Sequence, residues 1–338
     1  MPGIKFTWVP SQAEVEKQVY MGRAYQAFLA AYDGSEARVL KCTRQERTAY
    51  LTMLVRELGN GQKEAYSAYG YGGLLGQLEL TELDIESLRC FLAAESILAL
   101  FVRHSPFLSN QKQWPDRLVE LNRRTYAAEL RRSDTFDSFI QTIPQKLRWS
   151  VNYARRAGLH VSFKALSQCP LEQIQFFYQL YAGLMQQKQT SGYYLFSEAF
   201  FIEHARSLGA NCELAEIVDP GSGELIAAAF FLLDDSGWAH YHLSAATTPA
   251  MKLQGMELML ASAIHRYGNM GVHALHLGGG HALDESDGLS RFKAKFADYK
   301  LDFNCTKLIC NQPGYYAERA RLPLKQPNFF LISDARGV

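Results

Sequence analysis

The stretch from Cys212 to Gly280 constrains the fold most, because it sets three strands, a helix and a fourth strand in succession with only turns between them. CELAEIV, ELIAAAFFLLD and WAHYHLS are apolar runs parted by turn-forming residues around DPGSGE and DDSG, and they predict an antiparallel meander. Residues 251 to 267 then place Leu253, Met256, Leu260, Ile264 and Tyr267 three and four positions apart, the stripe of a helix lying on a sheet. Gly268 and Gly271 end that helix, and VHALHL runs as a short strand into Gly278-Gly279-Gly280. The order is β-β-β-α-β.

The first half carries a fainter version of the same theme. AYLTMLVREL, a hairpin-type GNGQ turn and KEAYSAYGY predict two paired strands. After the glycines at 72 to 76, Asp84 is placed to cap a helix bearing Leu88, Phe91 and Leu92, which leads to the apolar strand ILALFV. A chain of 338 residues exceeds what one core usually serves. Two domains are therefore expected, the first over residues 1–140, with the tail 311–338 as a candidate completion, and the second over 141–310. Thr142-Ile143-Pro144 introduces the helix QKLRWSVNYARRAG, with proline at its start, cations at its end and Gly158 as its stop. The apolar NFFLI of the tail needs a surface to pack on and is expected to fold back on the chain.

Composition bounds the partners. A formal charge of +1 exerts no bulk pull on nucleic acid, so any RNA contact must be a local patch. The six cysteines form no CxxC pair or zinc-spaced cluster, which predicts free thiols and no metal site. MPGIKFTWVP lacks the basic start and apolar core of a signal peptide, and the apolar stretch from Cys90 to Val102 is interrupted by Glu95. That stretch is shorter than the roughly 20 residues of a membrane helix. A cytoplasmic protein without stable membrane insertion is expected.

The densest chemistry lies in LHLGGGHALDESDGLSRFKAKF, residues 275 to 296. Three glycines can bring amide N–H groups against an anion or a carbonyl, although a plain flexible turn reads the same way. In FKAKF, Phe292 and Phe296 at i, i+4 spacing bury one face and leave Lys293 and Arg291 near the loop. A lysine there can donate to a phosphate, a ribose hydroxyl or a developing oxyanion; a solvated helix face is the bland alternative. Alternation in WAHYHLS puts His240, His242 and Ser244 on one face and Tyr241 and Leu243 on the other. His242 could take a proton from an attacking amine, and His281 leaves the strand beside the glycines; structural roles for these histidines stay open.

With these residues in view, the segment resembles the Fem-family motif in which LGGG is followed, after an acidic loop, by Asp-x-Leu and Phe-Lys, here Asp287, Leu289, Phe292 and Lys293. SAYGYGGLLG at 67 to 76, RWSVNYARRAGL at 148 to 159 and HYHLSA at 240 to 245 match in the same order. The resemblance implies an α/β (α+β) chain of two fused GNAT-like domains, each a mixed, mostly antiparallel sheet flanked by helices. It further implies transfer of an amino acid from aminoacyl-tRNA to an amine of a peptidoglycan precursor or a small metabolite, by a monomer. Carried over by motif, Lys293 lies near the aminoacyl ester. Tyr71, Gly72, Arg148, Tyr241, Gly278, Gly279, Gly280, Asp287 and Arg291 are the substrate-binding candidates, and His281 and His242 join Lys293 as catalytic ones. The chain departs from many relatives at Ser150 and Asn152 of the basic helix and at Leu253-Gln254, and no heptad run forms a coiled-coil arm between 156 and 212.

No Ser-His-Asp order, HExxH, P-loop or Rossmann fingerprint is present, and KLQGMELM does not fit the acetyl-CoA signature of GNAT enzymes. Attack of an amine on an activated ester needs orientation, a proton acceptor and oxyanion stabilisation, with no resident cofactor. An acyl-CoA-dependent N-acyltransferase acting on an amino sugar or polysaccharide precursor, and a binding module that has lost its chemistry, remain the rival readings.

Overall fold

The computed structural model describes residues 3–188, 194–280 and 284–336. Contacts divide the chain into two compact units, Met1–Arg123 with Asp302–Val338, and Arg124–Leu301. The sequence reading sets the boundaries at 140/141 and 310/311; the contact divisions lie earlier because the chain changes unit within two strands, β7 (Val119–Glu129) and β13 (Tyr299–Ile309).

Unit 1 contains β1 (Lys5–Val9), α1 (Ala13–Glu16), α2 (Arg23–Asp33), β2 (Glu36–Arg44), β3 (Arg47–Gly59), β4 (Gln62–Tyr66), β5 (Leu74–Gly76), α3 (Glu82–Ala94) and β6 (Ile97–Arg103). Its strands run in the order β1-β2-β3-β4-β6-β13, and β5 pairs with β3. The β3–β4 hairpin turns through Asn60 (φ 52°) and Gly61 (φ 72°), the left-handed pair such a tight turn requires. Thr81, not Asp84, caps α3. Asp84 sits three positions further on and returns its carboxylate to the Thr81 N–H at 2.7 Å, so cap and acid satisfy each other. Leu88 and Leu92 of α3 then meet Leu51, Met53, Leu100 and Val102 in the core.

The tail completes this unit. After α11 (Gln312–Arg321), Ile332 packs with Leu58, Leu98 and Tyr315, while α12 (Ile332–Arg336) begins on the carboxylate of the fully buried Glu64. That carboxylate accepts the Ile332 N–H at 2.8 Å, the Ser333 N–H at 3.2 Å and the Ser333 hydroxyl.

Unit 2 contains α4 (Phe136–Thr142), α5 (Gln145–Arg156), β8 (Ser162–Ala165), α6 (Leu171–Gln187), α7 (Glu198–Leu208), β9 (Cys212–Val218), β10 (Leu225–Leu233), β11 (Trp238–Ala246), α8 (Thr248–Lys252), α9 (Gly255–Asn269), β12 (Ala274–Gly279) and α10 (Gly288–Ala294). Its strand order is β7-β12-β11-β10-β9-β8. The predicted meander is β9, β10 and β11, paired antiparallel, and β12 joins β11 in parallel through the α9 crossover. The predicted helix from residue 251 is broken. Pro249 and the Thr247 cap make α8 a separate turn, and Gln254 enters the left-handed region (φ 62°) before α9 starts. One face of the sheet packs on α5 and α9 through Val151, Phe231, Met259, Tyr267 and Leu277. The other holds an aromatic layer in which Phe177 meets Phe201 and Phe230 edge-on at 5.2 and 4.7 Å. No helix among the described residues is long and apolar enough to cross a membrane.

Candidate active site in the second unit

Beyond their first three pairs, β11 and β12 have different partners. They pair only from Trp238↔Ala274 to His240↔His276. Further on, β11 continues on β10 as far as Ala246, whereas β12 continues on β7, with Gly278 opposite Tyr126 and Gly279 opposite Thr125. A fork opens at His240 and His276, between the edges carrying Tyr241 to Ala245 and Leu277 to Gly279. Peptide groups that no longer bond across a ladder are available to a ligand.

The glycines let α10 come close to the end of β12. Gly278 has φ 73°, and a Cβ there would lie 3.1 Å from Lys293 Nζ. A Cβ on Gly280 would collide with Ser290 Oγ and the Asp287 carboxylate. Asp287 caps α10, accepting from the Leu289 and Ser290 N–H groups at 3.0 Å and from the Ser290 hydroxyl at 2.6 Å. Lys293 is only 7% exposed, and its ammonium donates to the Gly279 carbonyl at 2.7 Å. The cation is thus held against the end of β12, the strand that forms one arm of the fork, where low solvent access strengthens its field. It is not on a solvated face.

Tyr126 and Glu285 join this group without having been singled out from the sequence. The Tyr126 hydroxyl donates to Glu285 at 2.6 Å, and burial followed by that carboxylate pushes its pKa up to about 12. Glu285 adopts φ 60° and pairs with Lys300 at 2.7 Å; hydrogen bonds from Lys300 and Tyr126 hold its carboxyl below the usual range. A tyrosine in the continuously buried run TYAA carries no signal that distinguishes it from core. Asp287 enters the sequence reading as a substrate-binding candidate, and its cap on α10 is a role that reading does not assign.

The histidines lie on the face of α6 and α7. His240 bonds Asp234 at 3.2 Å, and its ring meets His276 edge-on at 5.9 Å. His242 stacks on His204 at 5.3 Å, and His204 on Phe230 at 4.9 Å. Burial pushes His204 down to about 3; burial, then His204 and His240, hold His242 well below its ordinary value. His276 is lowered likewise by burial, His240 and Lys293. His242 is therefore neutral at neutral pH and a weak resting base. Tyr241, on the opposite face, packs against Phe231 at 5.4 Å.

The remaining candidates lie elsewhere. Arg291 is exposed and donates to the Ser286 carbonyl, bracing the loop before α10. Arg148 donates to Gln141 Oε1, to the Gln141 carbonyl and to the Ile143 carbonyl at 2.9, 3.0 and 3.3 Å, fastening the α4–α5 corner. Tyr71 and Gly72 belong to unit 1. There the Tyr71 ring meets Tyr20, Phe107 and Phe303 edge-on at 5.5, 5.6 and 5.2 Å, and the Gly72 N–H donates to the Arg103 carbonyl at 2.6 Å. His281 lies outside the described residues. Among the described residues no His, Cys, Asp or Glu side chains gather as a metal cluster.

Residues 144–300, within unit 2, match the family model of the acetyltransferase (GNAT) domain. No curated protein matches the chain in sequence. In fold the chain is similar to FemX, with a TM-score of 0.67 at 12% identity, covering 93% of this chain and 99% of that one. It is also similar to the C-terminal domain of a putative lysylphosphatidylglycerol synthetase from Agrobacterium fabrum (TM-score 0.51, 16% identity, 81% and 84% covered). A tandem GNAT protein from the clavulanic acid biosynthesis pathway superposes with a TM-score of 0.50 at 8% identity, over 91% and 99%. With a forked sheet in a segment that matches the acetyltransferase (GNAT) domain and a FemX-like course over nearly the whole chain, the protein has a Fem-like tandem GNAT fold whose second unit carries the match to the GNAT domain.

Proposed function

We propose that the second unit transfers an aminoacyl group from aminoacyl-tRNA to an amine of a cell-wall precursor or a small metabolite. The observation that carries this reading is the buried Lys293 ammonium, fixed on Gly279 where β11 and β12 part. The Fem-like LGGG…FKAKF segment supports an aminoacyl ester as donor. The amine lone pair attacks the ester carbonyl, the C–N bond forms, and the carbonyl oxygen takes up negative charge. Lys293 stabilises that oxyanion. Collapse breaks the ester C–O bond, and the proton lost by the amine goes to the departing ribose oxygen. The protein acts in the cytoplasm as a monomer.

An acyl-CoA donor is the second reading, favoured by the match of 144–300 to an acetyltransferase domain. One feature weighs against it. Glu257 stands in the first turn of α9, only 7% exposed and ion-paired to Lys295 at 2.8 Å. A carboxylate there competes with an anionic pyrophosphate for the positive end of the helix. Incubation with radiolabelled aminoacyl-tRNAs and a pool of small amines separates the readings. RNase-sensitive label in an alkali-stable amide is expected; label arriving only from acyl-CoA would sink the tRNA assignment.

A further inference from the structure

The helix α5 turns an unusual face to solvent. Leu147, Val151 and Ala154 enter the core against α9. On the opposite side Lys146, Trp149, Tyr153 and Arg156 follow one another at steps of three, four and three residues, which is one continuous stripe about 15 Å long. Trp149 is 58% exposed and Tyr153 38%, yet their rings lie 12° from parallel with centroids 5.3 Å apart. Lys146 and Arg156 are exposed at either end of the pair, and α5 contains no acidic residue. The helix runs opposite to α9: Phe139 of the preceding α4 touches His265 near the end of α9, while Leu159, just past α5, approaches Gly255 at the start of α9. Its Arg156 end therefore points toward the α9 terminus that follows β11, one arm of the fork.

We propose that this stripe receives a single-stranded RNA end, its bases stacked on Trp149 and Tyr153 and its phosphates against Lys146 and Arg156. The inference rests on the tRNA-donor reading and adds the surface that would hold the donor. Two parallel aromatic rings continue a base stack without regard to sequence, and two flanking cations match the few phosphates beside two or three bases. Charge complementarity selects the occupant. A bilayer fits less well, because a helix lying in a membrane interface presents a broad apolar face and this one presents two aromatic rings between cations.

The test uses the full chain and a fluorescein-labelled 12-nucleotide single-stranded RNA, followed by anisotropy, with the matching duplex and phosphatidylglycerol-containing vesicles as parallel probes. Trp149→Ala is expected to weaken single-strand binding about tenfold and Trp149→Phe much less, with unchanged thermal unfolding. Lys146→Gln and Arg156→Gln should each lower the slope of log K against log salt by about 0.7. Wild-type affinity in Trp149→Ala, absence of single-strand binding, or a Trp149 dependence confined to vesicles would overturn the proposal. The donor reading is scored separately. RNase-sensitive transfer with an unchanged KM in Trp149→Ala defeats the stripe alone, whereas transfer only from acyl-CoA defeats the donor.

Discussion

Lys293 shows how much of a side chain's role comes from its neighbours. On a solvated helix it would contribute little; held on the Gly279 carbonyl beside a glycine that leaves room for it, it is a fixed positive charge at the fork. Lys293→Ala is expected to lower kcat/KM by about 10²- to 10³-fold, as loss of an oxyanion donor does, while Lys293→Arg should not restore the rate because the guanidinium is larger and planar. Steady-state kinetics on matched, folded variants check this. His204 belongs to the same scale but acts on stability. Its folded pKa is near 3 because burial disfavours the cation, whereas an unfolded histidine titrates near 6.5. The unfolded chain thus takes up a proton that the folded chain refuses. Stability from this group is fully present above about pH 6.5 and declines as pH falls toward 3. His204→Phe keeps a ring against Phe230 and should reduce the acid-side loss by about 1 kcal/mol per pH unit, read from denaturant midpoints.

At the scale of elements, local rules set starts and stops more sharply than hydrophobic stripes do. Thr81→Ala removes a side chain that both caps α3 and bonds Asp84; it should cost about 1–2 kcal/mol, measurable by urea unfolding. The meander β9–β11, the Asn60-Gly61 hairpin and α5 behind Pro144 could all be read from turn chemistry and periodicity. The α8–α9 break could not, because the apolar stripe runs through Leu253 and hides the left-handed turn at Gln254. The same limit applies to the site. Gly278 to Gly280, Asp287 and Lys293 are neighbours in sequence and declared themselves as a group, whereas Tyr126 reaches Glu285 across 159 positions through the β7–β12 ladder. His242 could be placed on a face by alternation, yet its depressed basicity depends on His204 from a separate helix.

At the scale of the whole molecule, one unit is continuous in sequence and the other is not. Residues 124–301 form unit 2 without a break, while unit 1 draws on both ends of the chain. Expressed alone, residues 124–301 are expected to retain near-ultraviolet circular dichroism and a cooperative thermal transition. Residues 1–123 alone should not, because β6 has β4 on one edge and requires β13 on the other, and the fully buried Glu64 carboxylate requires the Ile332 and Ser333 N–H groups.

That dependence reaches into synthesis. Domains commonly close in the order in which a ribosome delivers them, N-terminal first. Here the first 123 residues leave the exit tunnel lacking the strand and the helix start that complete them, and these arrive only after the whole of unit 2. The middle of the protein is finished while its beginning still waits. For the interval in which residues 124–301 are made, the apolar strand β6 has β4 on one edge and no β13 on the other, so the nascent N-terminal segment carries an open sheet edge until the last part of the chain arrives.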